Sequence, residues 1–175
     1  MKIAIWMAGL ALVSGITAAE MDHATPRATH PAFERLRALE GEWVGKAFHT
    51  EGGQQTSEDT RVIYQIIGAG STVMETLFPG TPHQMVTMYH MDGVDLILTH
   101  YCAAGNQPTL LAAPMSDGKT LSFEFQRGTN MKPSDTHMHS VIFTFADDDH
   151  LKSVWTSQTS GKPGDRAVFE LARKK

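Results

Sequence analysis

From Gly41 onward the sequence is a succession of short apolar–polar alternations, each closed by Gly, Pro, Asn or Asp. That period-two pattern limits the fold more than any other feature, because it sends successive side chains to opposite faces of strands. About ten runs meet these criteria: Glu42–Thr50, Thr60–Ile67, Thr72–Phe78, Met85–Met91, Asp95–Cys102, Thr109–Ala113, Thr120–Arg127, His137–Phe145, Leu151–Gln158 and Arg166–Arg173. Their connections are tight and no helix long enough for a parallel crossover lies between them, which predicts an antiparallel meander. A meander of this size over one core must close or stack. Closure removes the unpaired edges, so the expected fold is all-β, an antiparallel up-and-down barrel of about ten strands. Ahead of it, Pro31 to Leu39 spaces Phe33, Leu36 and Leu39 three apart with charges between, the pattern of a short N-terminal helix with Pro at its first position. With 175 residues, 41% of them hydrophobic, the chain can fill one core, and residues 31–175 are read as a single domain.

The first residues read differently. Lys2 precedes an apolar run from Ile3 to Val13, and Thr17, Ala18 and Ala19 are small; this is the pattern of a secretory signal cleaved after Ala19. The run is shorter than the ~20 residues that span a bilayer. Residues 20–30 are polar, include Pro26 and lack a period, as a flexible leader does. The mature product is therefore expected to be periplasmic or secreted, with no transmembrane segment. Cys102, the single cysteine, cannot form an internal disulfide and reads as a buried thiol. A net charge of -4 and the lack of any long basic run argue against nucleic acid as a partner. Oligomeric state is left open by the sequence.

Facing can be read at one hairpin. If Asp92-Gly93 forms a two-residue type I′ turn, Met91 opposes Val94, Tyr89 opposes Leu96, Thr87 opposes Leu98 and Met85 opposes His100. The row Leu96, Leu98, His100, Cys102 then points inward and His90 outward. The same alternation groups Leu121, Phe123 and Phe125, groups Phe169 with Leu171 and Arg173, puts Trp155 in phase with Leu151, and aligns His137 and His139 with Val141, Phe143 and Phe145. The expected lumen wall is Tyr89, Leu98, His100, Cys102, Phe123, Phe125, His139, Trp155 and Phe169, and the expected partner is a small, mainly apolar molecule. A filled barrel with a structural or interaction role in the envelope is the alternative.

His100 would sit in an apolar lumen beside Tyr89 and Cys102, with Glu75 within reach, either as a hydrogen-bonded core histidine or as a group that orients a ligand. Cys-His catalysis fails on spacing, since residues two apart on a strand stand about 7 Å apart. No catalytic residue is assigned; an enzyme reading would need His100 as base and Tyr89 as proton donor. His137-Met138-His139 could chelate a transition metal, but there is no Cys pair and no His-Glu-x-x-His, so neither a metal site nor a cofactor is assigned. Asp147-Asp148-Asp149 lacks the spacing of a calcium loop and reads as a solvated hairpin tip.

Leu39-Glu40-Gly41-Glu42-Trp43-Val44-Gly45, following a short helix, resembles the Gly-x-Trp opening of the lipocalin and calycin superfamily. In those barrels a late Arg packs over the Trp, and Arg173 is the matching position; the resemblance implies barrel closure by Trp43 and Arg173. Met85–Tyr89, Leu98-Thr99-His100-Tyr101-Cys102, Asn106-Gln107-Pro108 and His137-Met138-His139 are similar to a family of secreted bacterial lipocalin-like proteins classed as a domain of unknown function. That resemblance implies fold and export and carries no activity. Nitrobindin-type haem barrels are similar in shape, but their proximal His lies near the chain end and nothing after His150 matches it.

Overall fold

The structure, a computed structural model, describes residues 30–115 and 117–175; the segments expected to be a signal and most of a leader lie outside the described residues. Helix α1 (Pro31–Arg37) is followed by strands β1 (Gly41–Glu51), β2 (Gln54–Ile67), β3 (Thr72–Leu77), β4 (Met85–Asp92), β5 (Asp95–Tyr101), β6 (Gln107–Ala112), β7 (Thr120–Thr129), β8 (His137–Phe145), β9 (His150–Thr159) and β10 (Lys162–Arg173). Each strand pairs antiparallel with the next, and β1 pairs with β10, so the sheet is a closed ten-stranded barrel. Closure leaves no edge strand to be capped.

One end is plugged by α1. Pro31 opens the helix, and Ala32, Phe33 and Leu36 are buried. The expected stripe is correct, although the helix stops two residues early. Leu39 is buried just beyond it, and its carbonyl accepts a hydrogen bond from Trp43 Nε1 at 2.8 Å. Arg173 lies 4.5 Å from the Trp43 ring and donates to the carbonyls of Glu40 and Ala38, each at 2.7 Å. A planar guanidinium can stack on an indole while its edge bonds carbonyls. Two glycines make room for this seam. Gly41 has φ +128°, with the guanidinium 3.4 Å from where a Cβ would stand, and a Cβ on Gly45 would meet the Glu170 carbonyl oxygen at 1.9 Å.

The Asp92-Gly93 hairpin corrects the expected register. The two turn residues are Gly93 and Val94, so Asp92 pairs with Asp95, Met91 with Leu96, Tyr89 with Leu98 and Thr87 with His100. Only Gly93 of the turn has positive φ, which fits a type II′ turn, where glycine takes the first central position and aspartate escapes the left-handed region. The slip is two residues, an even number. Every side chain therefore keeps its predicted face: Tyr89, Leu96, Leu98 and His100 are buried, while His90 is on the other face.

Three strands start two or more residues before their expected runs. β2 begins six residues before the expected run and β10 four residues before its own; these segments are exposed on both faces and so carry no alternation for a reader to detect. β6 begins at Gln107, two residues before the expected run, and includes Pro108. Its pairing with β5 stops at Thr109, so the missing N–H of Pro108 interrupts no bond on that side.

Candidate functional site

Strands run alternately up and down, so the end opposite α1 collects the last residues of β1, β3 and β5 and the first of β4 and β8. Below that level the interior is filled by buried aromatic and aliphatic side chains. Tyr89, Phe123 and Phe143 pack ring against ring at 5.8–6.3 Å, with Leu98, Leu110 and Leu121 also fully buried. Above it lies a cavity of about 140 Å³, lined by His49, Leu77, Phe78, Met85, His100, Met138, Trp155, Ala167 and Phe169. Phe78 holds a φ of 51°, unusual for a side-chain-bearing residue, and its ring lies between those of His49 and Phe169.

Of the residues expected to form the wall, His100, Trp155 and Phe169 line this cavity. Tyr89, Leu98 and Phe123 face inward but form the packed floor. Phe125 and His139 stack on each other 5.3 Å apart and do not line it. Cys102 falls just past β5 and is half-buried, where a fully buried thiol was expected. Its backbone takes part in the turn instead: Cys102 N–H donates to the Asn106 carbonyl and Gly105 N–H to the Cys102 carbonyl. The alternation in β8 breaks at a register shift between Met138 and Ser140. Such a bulge lets Met138 reach the cavity, while His137 Nε2 and His139 Nδ1 share a hydrogen bond at 3.1 Å. Burial and the neighbouring His137 lower the His139 pKa. Among the described residues no group of three or more His, Cys, Asp or Glu could hold a metal ion.

The polar part of the site lies beside and beneath the cavity. Glu75 is 0% exposed. Tyr64 donates to its Oε1 at 2.7 Å and Tyr89 to its Oε2 at 2.6 Å. Burial raises the Glu75 pKa, opposed by hydrogen bonds from Tyr89, Tyr64 and Thr87; both tyrosines are held well above their usual range by burial and by the Glu75 charge. Thr87 stands directly across from Glu75 on one side and from His100 on the other, and its Oγ1 is 3.0 Å from His100 Nδ1. His100 is 1% exposed and burial depresses its pKa to about 4, so the imidazole is neutral at pH 7. Its Nε2 and the Nε1 of Trp155 are buried without a hydrogen-bond partner among the described residues; the two rings are 4.9 Å apart. Sequence reading found Glu75 and His100 but missed Tyr64 and Thr87 as the groups that satisfy them. It also missed His49, Leu77, Phe78, Met85, Met138 and Ala167 as parts of the cavity wall. Strand polarity in the meander was the available signal, since it sends these positions to the same end as His100.

Solved structures share this architecture. A protein of unknown function from the DUF3598 family of Nostoc punctiforme superposes with TM-score 0.57 at 15% identity, covering 79% of this chain and 49% of its own; this chain thus spans about half its length. Rv2717c from M. tuberculosis superposes with TM-score 0.57 at 16% identity, covering 83% of this chain and 99% of its own. These likenesses establish the barrel fold alone. No protein-family model and no curated protein matches the sequence.

Proposed function

We propose that this protein is an exported barrel that holds one small, mainly apolar molecule in the cavity at the end opposite α1. The observation that carries this reading is the combination of a largely apolar wall with a buried imidazole whose Nε2 has no partner; ligand sites commonly join apolar walls to a few fixed polar groups. Size narrows the ligand. A cavity of about 140 Å³ compares with the ~150 Å³ apolar cavity that accepts benzene, so the occupant is a single ring or a short branched chain, and a long acyl chain is too large. The export half rests on Lys2, the apolar run Ile3–Val13 and the small residues Thr17 to Ala19.

Native mass spectrometry of protein purified from its own host, paired with thermal shifts in ring-sized aromatics, tests the binding half. A retained small molecule, or a melting temperature raised by such compounds, supports it. A bare polypeptide mass with no thermal shift supports instead a filled barrel with a structural or interaction role. Fractionation and N-terminal sequencing test export: the expected mature chain begins at Glu20, and a full-length cytoplasmic product refutes it.

A further inference from the structure

We propose that the outer wall centred on β3, β4 and β5 docks a second copy of this chain, the two copies related by a two-fold axis that crosses the strands at Met88. The charge pattern has a gap there. Charged residues make up 19% of the sequence, yet between Arg61 and Asp117 the charged positions are Glu75, Asp92 and Asp95 alone. Glu75 faces inward and is buried, and Asp92 and Asp95 pair at the turn that ends β4. Alternation with the buried Glu75, Thr87, Tyr89, Leu98 and His100 sends Met74, Met88 and Thr99 outward, where they lie side by side across three strands. Val86, Ile97 and Tyr101 share this wall, and Tyr101 is 50% exposed. The other side of the barrel carries ordinary surface ion pairs, Lys46 with Asp59, Arg61 with Glu42 and Lys152 with Glu170. Depletion of charge together with Met and Tyr is the composition of an interface core.

Fold and chemistry together choose the occupant. A closed barrel offers no free edge to which an extended peptide could add. A membrane surface is gripped by exposed Trp or by basic residues; Lys and Arg are absent from residues 62–115, and Trp43 and Trp155 are buried. A second copy needs neither. An axis along the strands would set Asp92 and Asp95 against the same pair of the other copy. An axis across the strands instead lays β4 antiparallel to its counterpart and brings the acidic turn over loop 78–84, which has no Lys, Arg, Asp or Glu, so like charges never meet. Met88 then faces Met88 and Thr99 faces Thr99, while Ile97 meets Tyr101, a self-complementary contact of the isologous kind. Counting β2 and β6 as flanks, the charge-free rows are about 24 Å wide and about 20 Å tall, so a pair covers at most about 1,000 Å², the size of a reversible interface with micromolar dissociation.

Sedimentation velocity on protein expressed in its own host, run from about 1 µM to about 500 µM, reads the association. The weight-average mass is expected to rise from monomer toward dimer over that range. Met88→Lys sets like charges together at the axis and should weaken pairing about tenfold or more, as should Met88→Glu, while an equimolar mixture of the two variants sets Lys against Glu and should restore it. Such rescue requires a self-facing site at Met88. Ile142→Lys adds the same charge at an exposed position of β8, on the far side of the barrel, and should leave pairing unchanged. Circular dichroism checks that each variant folds, and Tyr101→Lys, on the same wall, replaces the Met88 variants if they do not. A wild type that stays monomeric throughout overturns the proposal. So does an Ile142→Lys variant that dissociates as Met88→Lys does, or a Lys and Glu mixture that stays monomeric. Flotation of a monomeric wild type with phosphatidylcholine vesicles would assign the wall to a membrane and equally overturns it.

Discussion

Replacing His100 with Gln should change how stability depends on pH, in a direction fixed by burial. The folded chain holds this imidazole neutral down to a pKa of about 4, against 6.5 for an unperturbed His. Between those values the unfolded chain binds a proton that the folded chain refuses, so wild-type stability falls as pH falls through the window and the effect vanishes above it. At ~1.4 kcal/mol per pH unit, the penalty is about 2 kcal/mol at pH 5 and about 3 kcal/mol at pH 4. Gln has no proton to gain. His100→Gln should therefore be costly at pH 7.5, where the bond to Thr87 and the ring contact with Trp155 are disturbed, and the cost should shrink by about 2 kcal/mol at pH 5. Urea unfolding followed by tryptophan fluorescence at several pH values gives both curves, and every other titrating group is common to the two proteins and cancels in their difference. A difference that stays constant within about 0.5 kcal/mol from pH 7.5 to 5 refutes the burial of a neutral imidazole.

Glu75→Leu should destabilise by roughly 2–5 kcal/mol in chemical denaturation, because two buried tyrosine hydroxyls lose their acceptor, and adding Tyr64→Phe and Tyr89→Phe should recover most of that loss. Arg173→Lys should lower stability by about 2 kcal/mol, since an ammonium cannot stack on Trp43 while serving the carbonyls of Ala38 and Glu40; a Lys variant with unchanged melting temperature contradicts that account. Gly45→Ala should prevent β1 and β10 from closing, as the new Cβ meets the Glu170 carbonyl, and a folded, normally stable variant by circular dichroism would be incompatible with this seam.

The barrel was legible because its signal is local. Alternation in Leu121, Phe123 and Phe125, or in Leu96, Leu98 and His100, states which side of a strand is buried whatever the strand pairs with, and it survived a two-residue error in the β4–β5 register because a shift of two preserves parity. The polar starts of β2 and β10 were invisible for the converse reason: strands wet on both faces need no alternation. Sequence also identified His100 and Glu75 as polar residues within apolar runs, whereas the pairing of Trp43 with Arg173 was implied only by the resemblance of the Gly-x-Trp opening to known barrels. What it could not supply was vertical position. Tyr89, Phe123 and Trp155 all alternate inward, yet only Trp155 borders the cavity, because depth depends on how ten strands are staggered around the barrel. Likewise Thr87 meets His100 rather than Leu98 only through the observed register. Facing is a property of one strand, while level and partnership belong to the closed sheet, and so the tertiary structure alone decided which inward residues fill the barrel and which leave it open.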